Sequence, residues 1–214
     1  MRPDLVIFDC DGVLVDTERA TNTAIADNLN RYGLQISPDE CLTLFVGGTM
    51  QSAMGEARNR GADLPDDWLD EIYTEVFAVL AEGVAVINGI PALLNRLSAH
   101  GIPDCIASNG PPEKMRVSLG PSGLWDRFQG RIWSPHSHGP AKPDPALLMM
   151  AARHFGVSPD RCVMIDDNPS GVVAAQRAGM RAIGFDESGN PARLGDLGAE
   201  VVTEITELHD LLGL

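Results

Sequence analysis

Leu5-Val6-Ile7-Phe8-Asp9-Cys10-Asp11-Gly12-Val13-Leu14-Val15-Asp16 decides how the rest of the chain is read. Leu5 to Phe8 is an unbroken apolar run, the mark of a strand buried on both faces of a parallel sheet. It ends abruptly in acid. Asp9 and Asp11 alternate along an extended backbone, so their side chains start on one face where the strand gives way to a loop. Gly12 then permits a sharp turn. Open α/β sheets place their ligands beyond the carboxyl ends of parallel strands. Two carboxylates at such an end repel one another unless a cation or a shared proton intervenes. Taken alone, an Asp-x-Asp pair fits an acidic loop equally well, so the decision falls to the rest of the sequence.

Downstream of Val84 the chain alternates strand and helix. Ile90 to Ala99 reads as an amphipathic helix stopped by Gly101, and Cys105-Ile106-Ala107 as the next strand. Pro111-Pro112 begin a helix through Met115 to Leu119, Arg131-Ile132-Trp133 is a strand, and Ala146 to Phe155 is a helix stopped by Gly156. Arg161 to Ile165 is a strand, Gly171 to Ala178 a helix, Arg181 to Phe185 a strand, and Glu200-Val201-Val202 an edge strand before a terminal helix. This alternation predicts a Rossmann-like α/β core with a parallel sheet covered on both faces.

Between the first strand and this core lies a stretch with helix signals only. Thr17 is placed to cap a helix carrying Ala24, Ile25, Leu29 and Tyr32 on one side and ending at Gly33. Ser37-Pro38-Asp39-Glu40 starts another, running to Val46 and broken by Gly47-Gly48. Thr49 is placed to cap a third, through Met50, Met54 and Ala57 to Gly61. Pro65-Asp66-Asp67 open a fourth, with Trp68, Ile72, Val76 and Val79-Leu80 facing inward. The expected division is therefore an α/β core of residues 1–16 and 84–214 with a helical cap of residues 17–83. The methionines and Trp68 of the cap read as its own small core.

The chain has 214 residues, 44% hydrophobic and 21% charged, ordinary figures for a globular protein. A net charge of −14 disfavours nucleic acid and anionic membrane as partners. It also makes any anion-binding site a local device. No run of residues is long and apolar enough to span a bilayer. The first strand is expected to begin at Leu5, so no signal peptide is expected ahead of it. Cys10, Cys41, Cys105 and Cys162 show no Cys-x-x-Cys spacing and read as buried reduced thiols, so a cytoplasmic location is expected. A monomer is compatible with all of this.

Each core strand ends in residues suited to phosphate and metal. The first gives Asp9 and Asp11. The second gives Ser108-Asn109-Gly110, a hydroxyl and backbone N–H groups near a helix start, which suit an oxyanion, although Ser108 also fits an ordinary helix cap. Lys142-Pro143-Asp144-Pro145 holds a lysine in a stiff loop, and the fourth strand ends in Asp166-Asp167-Asn168. Adjacent acids after a buried run are hard to explain without a cation. A carboxylate about 4 Å from a phosphate dianion meets roughly 8 kcal/mol of repulsion at an effective dielectric near 20. Asp9 can attack phosphorus only if that repulsion is cancelled. Mg²⁺ on Asp9, the carbonyl of Asp11 and the pair Asp166-Asp167, with Lys142 opposite, supplies about three positive charges. The parts need one another.

In order and spacing, Phe8-Asp9-Cys10-Asp11-Gly12-Val13, Ser108, Lys142 with its Pro-Asp-Pro, and Asp166-Asp167 followed by Gly171, Ala174-Ala175 and Ala178-Gly179-Met180 resemble the four motifs of the haloacid dehalogenase superfamily. The resemblance covers the core from residue 5 to about 185. It implies a helical cap inserted after the first motif and a nucleophilic Asp9 that forms an aspartyl-phosphate. Asp11 would protonate the leaving oxygen and then activate water. Ser108, Asn109 and Lys142 would hold the phosphoryl oxygens, and Asp167, assisted by Asp166, would hold Mg²⁺. Ser108-Asn109-Gly110-Pro111 with Lys114-Met115 looks most like the sugar-phosphate phosphatases, including 6-phosphogluconate phosphatases. The implied partner is a small phosphorylated metabolite.

Rival readings have specific requirements. A dehalogenase of the superfamily needs no metal and lacks a second aspartate at position 11. A β-phosphoglucomutase carries a histidine early in the first cap helix and an arginine after the cap glycine, where Thr21 and Met50 stand here. A receiver-type signalling domain has its acidic pair on the first strand and its phospho-acceptor on a later one, the opposite order. His136-Ser137-His138 offers no third ligand for a metal and reads as a solvated loop. Substrate selectivity is expected from the cap, near Thr49 and Gln51.

Overall fold

The computed structural model describes residues 2–45, 50–187 and 189–214. Six strands, β1 (Leu5–Phe8), β2 (Asp104–Ala107), β3 (Ile132–Trp133), β4 (Cys162–Asp166), β5 (Arg181–Phe185) and β6 (Glu200–Val202), form one sheet in the order β3-β2-β1-β4-β5-β6. Every pairing is parallel. Val6 stands beside Asp104 on one side and Val163 on the other. The chain lays β2 and β3 outward on one side of β1, then crosses to lay β4 to β6 on the other. The order therefore reverses at β1, and the crevice beyond its carboxyl end lies between the ends of β2 and β4.

Alternation along β1 divides the core between the two faces of the sheet. Val6 and Phe8 pack with α5 (Ile90–Ala99), α6 (Pro112–Leu119), α7 (Leu124–Phe128) and the carboxy-terminal turn, through Leu93, Met115, Phe128 and Leu208. Leu5 and Ile7 pack on the opposite face with α9 (Ala146–Phe155) and α10 (Pro169–Arg177), through Leu147, Ala151, Val172 and Ala175. All four β1 side chains are buried, as a strand covered on both faces requires.

Among the described residues, four helices lie between β1 and α5: α1 (Thr17–Arg31), α2 (Pro38–Phe45), α3 (Met50–Asn59) and α4 (Trp68–Glu82). They close around their own cluster, in which Ile25, Leu29, Cys41, Met54, Trp68, Ile72 and Leu80 are buried. Asn28 is the buried polar residue of this cluster. It accepts from Trp68 Nε1 at 2.6 Å and donates to Glu71 at 2.9 Å. Val84 and Val117 pack against the cluster from the sheet side.

Several local expectations are corrected. Asp16, not Thr17, caps α1: its carboxylate accepts from the Arg19 N–H, which frees the Thr17 hydroxyl for another partner. Ser37 and Glu40 do form the reciprocal cap expected of them, Ser37 Oγ accepting from Glu40 N at 3.2 Å and Glu40 accepting from Ser37 N at 2.9 Å. α4 starts at Trp68, because Pro65 to Asp67 form a turn before it. α10 starts at Pro169, earlier than Gly171, because Asn168 caps it by accepting from Ser170 N. α7 and the short α11 (Ala192–Gly195) were not expected, since each is too brief to show a helical period. His136 and His138 are exposed, as expected, but on a single helical turn, α8 (Pro135–His138), that Ser134 caps. The terminal helix is a 3₁₀ turn running into α12 (Leu208–Leu212). Val46, the break at Gly47-Gly48 and the cap at Thr49 lie outside the described residues.

Candidate active site

The crevice beyond β1 holds a cavity of about 240 Å³ lined by Asp9, Asp11, Ser108, Asn109, Lys142, Asp166 and Asp167, joined by Glu18, Gly110, Asn168 and Ser170. Asp9, Asp11, Ser108, Asn109, Lys142, Asp166 and Asp167, the residues expected to carry the chemistry, are all brought to it. Asp9 leaves β1 with its N–H still paired to Ile165 of β4, so the nucleophile candidate is fixed by sheet hydrogen bonding up to its own backbone. Lys142 is buried, and its ammonium donates to Asp9 Oδ1 at 2.9 Å and to Asp166 Oδ2 at 2.6 Å.

Asn109 plays a part that spacing alone does not show. Its side chain donates to the Lys142 carbonyl at 3.0 Å and accepts from the Lys142 N–H at 2.8 Å. The amide is thus spent on positioning the lysine loop. Ser108 is not a helix cap, for Pro111 precedes α6. Its hydroxyl is buried at the cavity and accepts from Gly110 N at 3.2 Å.

Asp9, Asp166 and Asp167 can each offer a carboxylate oxygen with all three atoms within 4.8 Å of one another. Three hard oxygen donors at that spacing suit a divalent cation such as Mg²⁺. The backbone closes tightly on two of them. A Cβ on Gly12, whose φ is +77°, would meet Asp167 Oδ2 at 2.4 Å, and one on Gly171 would meet Asp166 Oδ2 at 1.7 Å. Both glycines therefore mark where main chain presses on an acid, and both carboxylates are held from behind.

The electrostatics carry the same message. Burial, then the charges of Asp9, Asp166 and Glu18, push Asp167 up to about 8. Burial pushes Asp166 up to about 6, with Lys142 pulling it down and Asp9 pushing it further up. Burial alone would lower Lys142, yet Asp166 and Asp9 outweigh it and hold the lysine above its ordinary value. One ammonium faces two carboxylates, so the lysine is held firmly charged while the acids compete for it. A cation is what this acid set lacks, and the donors present fit one.

The Asp11 carboxylate stands outside the trio. Thr17 donates to Oδ1 at 2.6 Å and Lys114 to Oδ2 at 2.8 Å. Both of its oxygens are therefore held by partners other than Asp9, Asp166 and Asp167. Thr17, Lys114 and Glu18 were missed as site residues. Thr17 was expected as a cap, Lys114 was noted only as part of a resemblance, and Glu18 sits in a first helical turn where glutamate is ordinary. Gln51 is exposed on α3 and does not line the cavity, and Thr49 lies outside the described residues.

Comparison with known proteins agrees with the fold. Residues 6–185 match the haloacid dehalogenase-like hydrolase family. The chain is 31% identical to the 6-phosphogluconate phosphatase of Escherichia coli (strain K12), over 86% of this chain and 83% of that protein. A haloacid dehalogenase family hydrolase from Deinococcus radiodurans R1, solved with bound phosphate and sodium, superposes with a TM-score of 0.87 at 32% identity, over 98% of this chain and 95% of that one. A putative β-phosphoglucomutase from Thermotoga maritima superposes with a TM-score of 0.83 over 100% and 99% of the two chains, and at 23% identity it shares the fold. With its motif residues gathered at one sheet crevice and this match over most of its length, the chain belongs to the haloacid dehalogenase-like hydrolase family and stands with its phosphatases.

Proposed function

We propose that the protein is a Mg²⁺-dependent hydrolase of a small phosphomonoester, a sugar or sugar-acid phosphate, acting through an aspartyl-phosphate on Asp9. The observation that carries this reading is the buried Asp9 between the Lys142 ammonium and the Asp166-Asp167 pair, with Asp11 two residues on. An Asp9 carboxylate oxygen attacks phosphorus, the bond to the leaving oxygen breaks, and Asp11 gives that oxygen its proton. Water then attacks the phosphorus, Asp11 takes its proton, and the bond to Asp9 breaks to free inorganic phosphate. Ser108 and the backbone N–H groups after it, with Lys142, hold the phosphoryl oxygens. When bound by Asp9, Asp167 and the Asp11 carbonyl, with Asp166 assisting, Mg²⁺ supplies positive charge against the phosphoryl oxygens.

The block of residues 17–83 is read as a cap over a core of residues 1–16 and 84–214, and the buried thiols suit a cytoplasmic setting. The cavity is smaller than the roughly 300–1,000 Å³ usual for drug-sized ligands, which favours a small substrate. Among the described residues lining it, Lys142 is the cationic side chain, and it is already paired with two acids. A second phosphate, which a mutase must grip while its aspartyl-phosphate waits, has no fixed cation there. Phosphate release from a panel of small phosphomonoesters with Mg²⁺ tests the activity. With β-glucose 1-phosphate and a bisphosphate primer, inorganic phosphate is expected. Glucose 6-phosphate formed much faster than phosphate would move the protein to the mutases.

A further inference from the structure

Lys114 takes no part in the steps above, yet its ammonium stands 2.8 Å from Asp11 Oδ2. The helix that carries it is held from both sides. Met115 and Leu119 of α6 are buried in the sheet core, and Val117 packs against the helical block. Burial opposes the lysine's charge, and the Asp11 carboxylate more than restores it. Asp11 does not need this partner merely to be solvated. Its side chain is 24% exposed, and the Thr17 hydroxyl already donates to its other oxygen. Nor does Lys114 line the cavity. It meets Asp11 off the substrate space, at an oxygen that also lies near the Ser108–Gly110 loop, where a Cβ on Gly110 would stand 3.5 Å away.

The charges around Asp11 say what the contact does. Among the described residues, five acidic side chains line the cavity, Asp9, Asp11, Glu18, Asp166 and Asp167, and the one ammonium there is engaged by Asp9 and Asp166. Without a cation of its own, Asp11 would be driven away from the other carboxylates and from an incoming phosphate. We propose that Lys114 is the positioning residue for Asp11, an ammonium fixed behind the carboxylate that keeps it turned toward the leaving oxygen without touching substrate or metal. This rests on the reading that Asp11 moves the proton.

Lys114→Met should lower the steady-state kcat for an alkyl phosphate at least about tenfold. KM and the Mg²⁺-induced rise in melting temperature should stay near wild type. The single-turnover burst of p-nitrophenol from p-nitrophenyl phosphate should suffer far less, because that leaving group departs with little protonation. Lys114→Arg should recover more turnover than Lys114→Gln, and this pair decides the matter if the methionine variant does not fold. A kcat within about twofold of wild type, a burst that falls as far as alkyl-phosphate turnover, a lost Mg²⁺ response, or equal impairment in Arg and Gln would each overturn the role. Wild-type turnover in Asp11→Asn would instead overturn the underlying reading of Asp11.

Discussion

Asp9 follows directly on a strand whose every side chain is buried and keeps its own N–H in the sheet, so its carboxylate has little freedom to wander. Asp9→Asn keeps the shape and removes the nucleophile. Phosphate release should fall below a few per cent of wild type with the melting temperature within a few degrees, measured by a phosphate assay and circular dichroism. Gly12 is as constrained as the acids it touches. Gly12→Ala adds a methyl at a positive φ and within 2.4 Å of Asp167 Oδ2, so Asp167 must shift. The half-saturating Mg²⁺ concentration should rise about tenfold or more, read by isothermal titration. An unchanged Mg²⁺ affinity would remove Asp167 from the metal site. At this scale the sequence was legible where a residue ended a buried strand, as with Asp9, Ser108 and Asp166. It was illegible where two distant residues met by side chain alone. Asn109 reaching Lys142, and Lys114 and Thr17 reaching Asp11, leave no periodic or local mark.

Among the elements, the strands were read to within a residue or two, because burial on both faces imposes uninterrupted apolar runs. The long helices were legible from their periodicity, while α7, α8 and α11 form single turns set by packing and capping. The error at α1 is instructive: Asp16 and Thr17 are both competent caps, and the choice between them follows from Thr17 being drawn to Asp11. α1 and α4 are joined by one buried polar residue. Asn28→Ala would leave the Trp68 indole N–H without its acceptor in a closed apolar cluster. A loss of about 2–3 kcal/mol is expected, read as a lower midpoint in urea with an unchanged slope. A midpoint equal to wild type would mean that the network contributes nothing.

For the whole molecule, a charge of −14 and a pocket of acids at its centre pull against compactness. A cation that binds the folded acids and not the unfolded chain adds about 2.7 kcal/mol at a hundredfold excess over its Kd. Mg²⁺ should therefore raise the melting temperature by several degrees, EDTA should reverse the rise, and Asp167→Ala should abolish it. The four cysteines open a different view of the same molecule. All are buried and unpaired: Cys10, Cys105 and Cys162 in the sheet core and Cys41 in the helical cluster. Burial pushes the Cys41 and Cys162 thiols up to about 11 and holds Cys10 and Cys105 well above the ordinary thiol value, so none reacts appreciably until its surroundings part. The protein thus carries its own clocks for local opening, one in the helices and three in the sheet. A thiol reagent added in native buffer, with each modified cysteine identified by mass spectrometry over time, reads the breathing of the two regions separately without any introduced label.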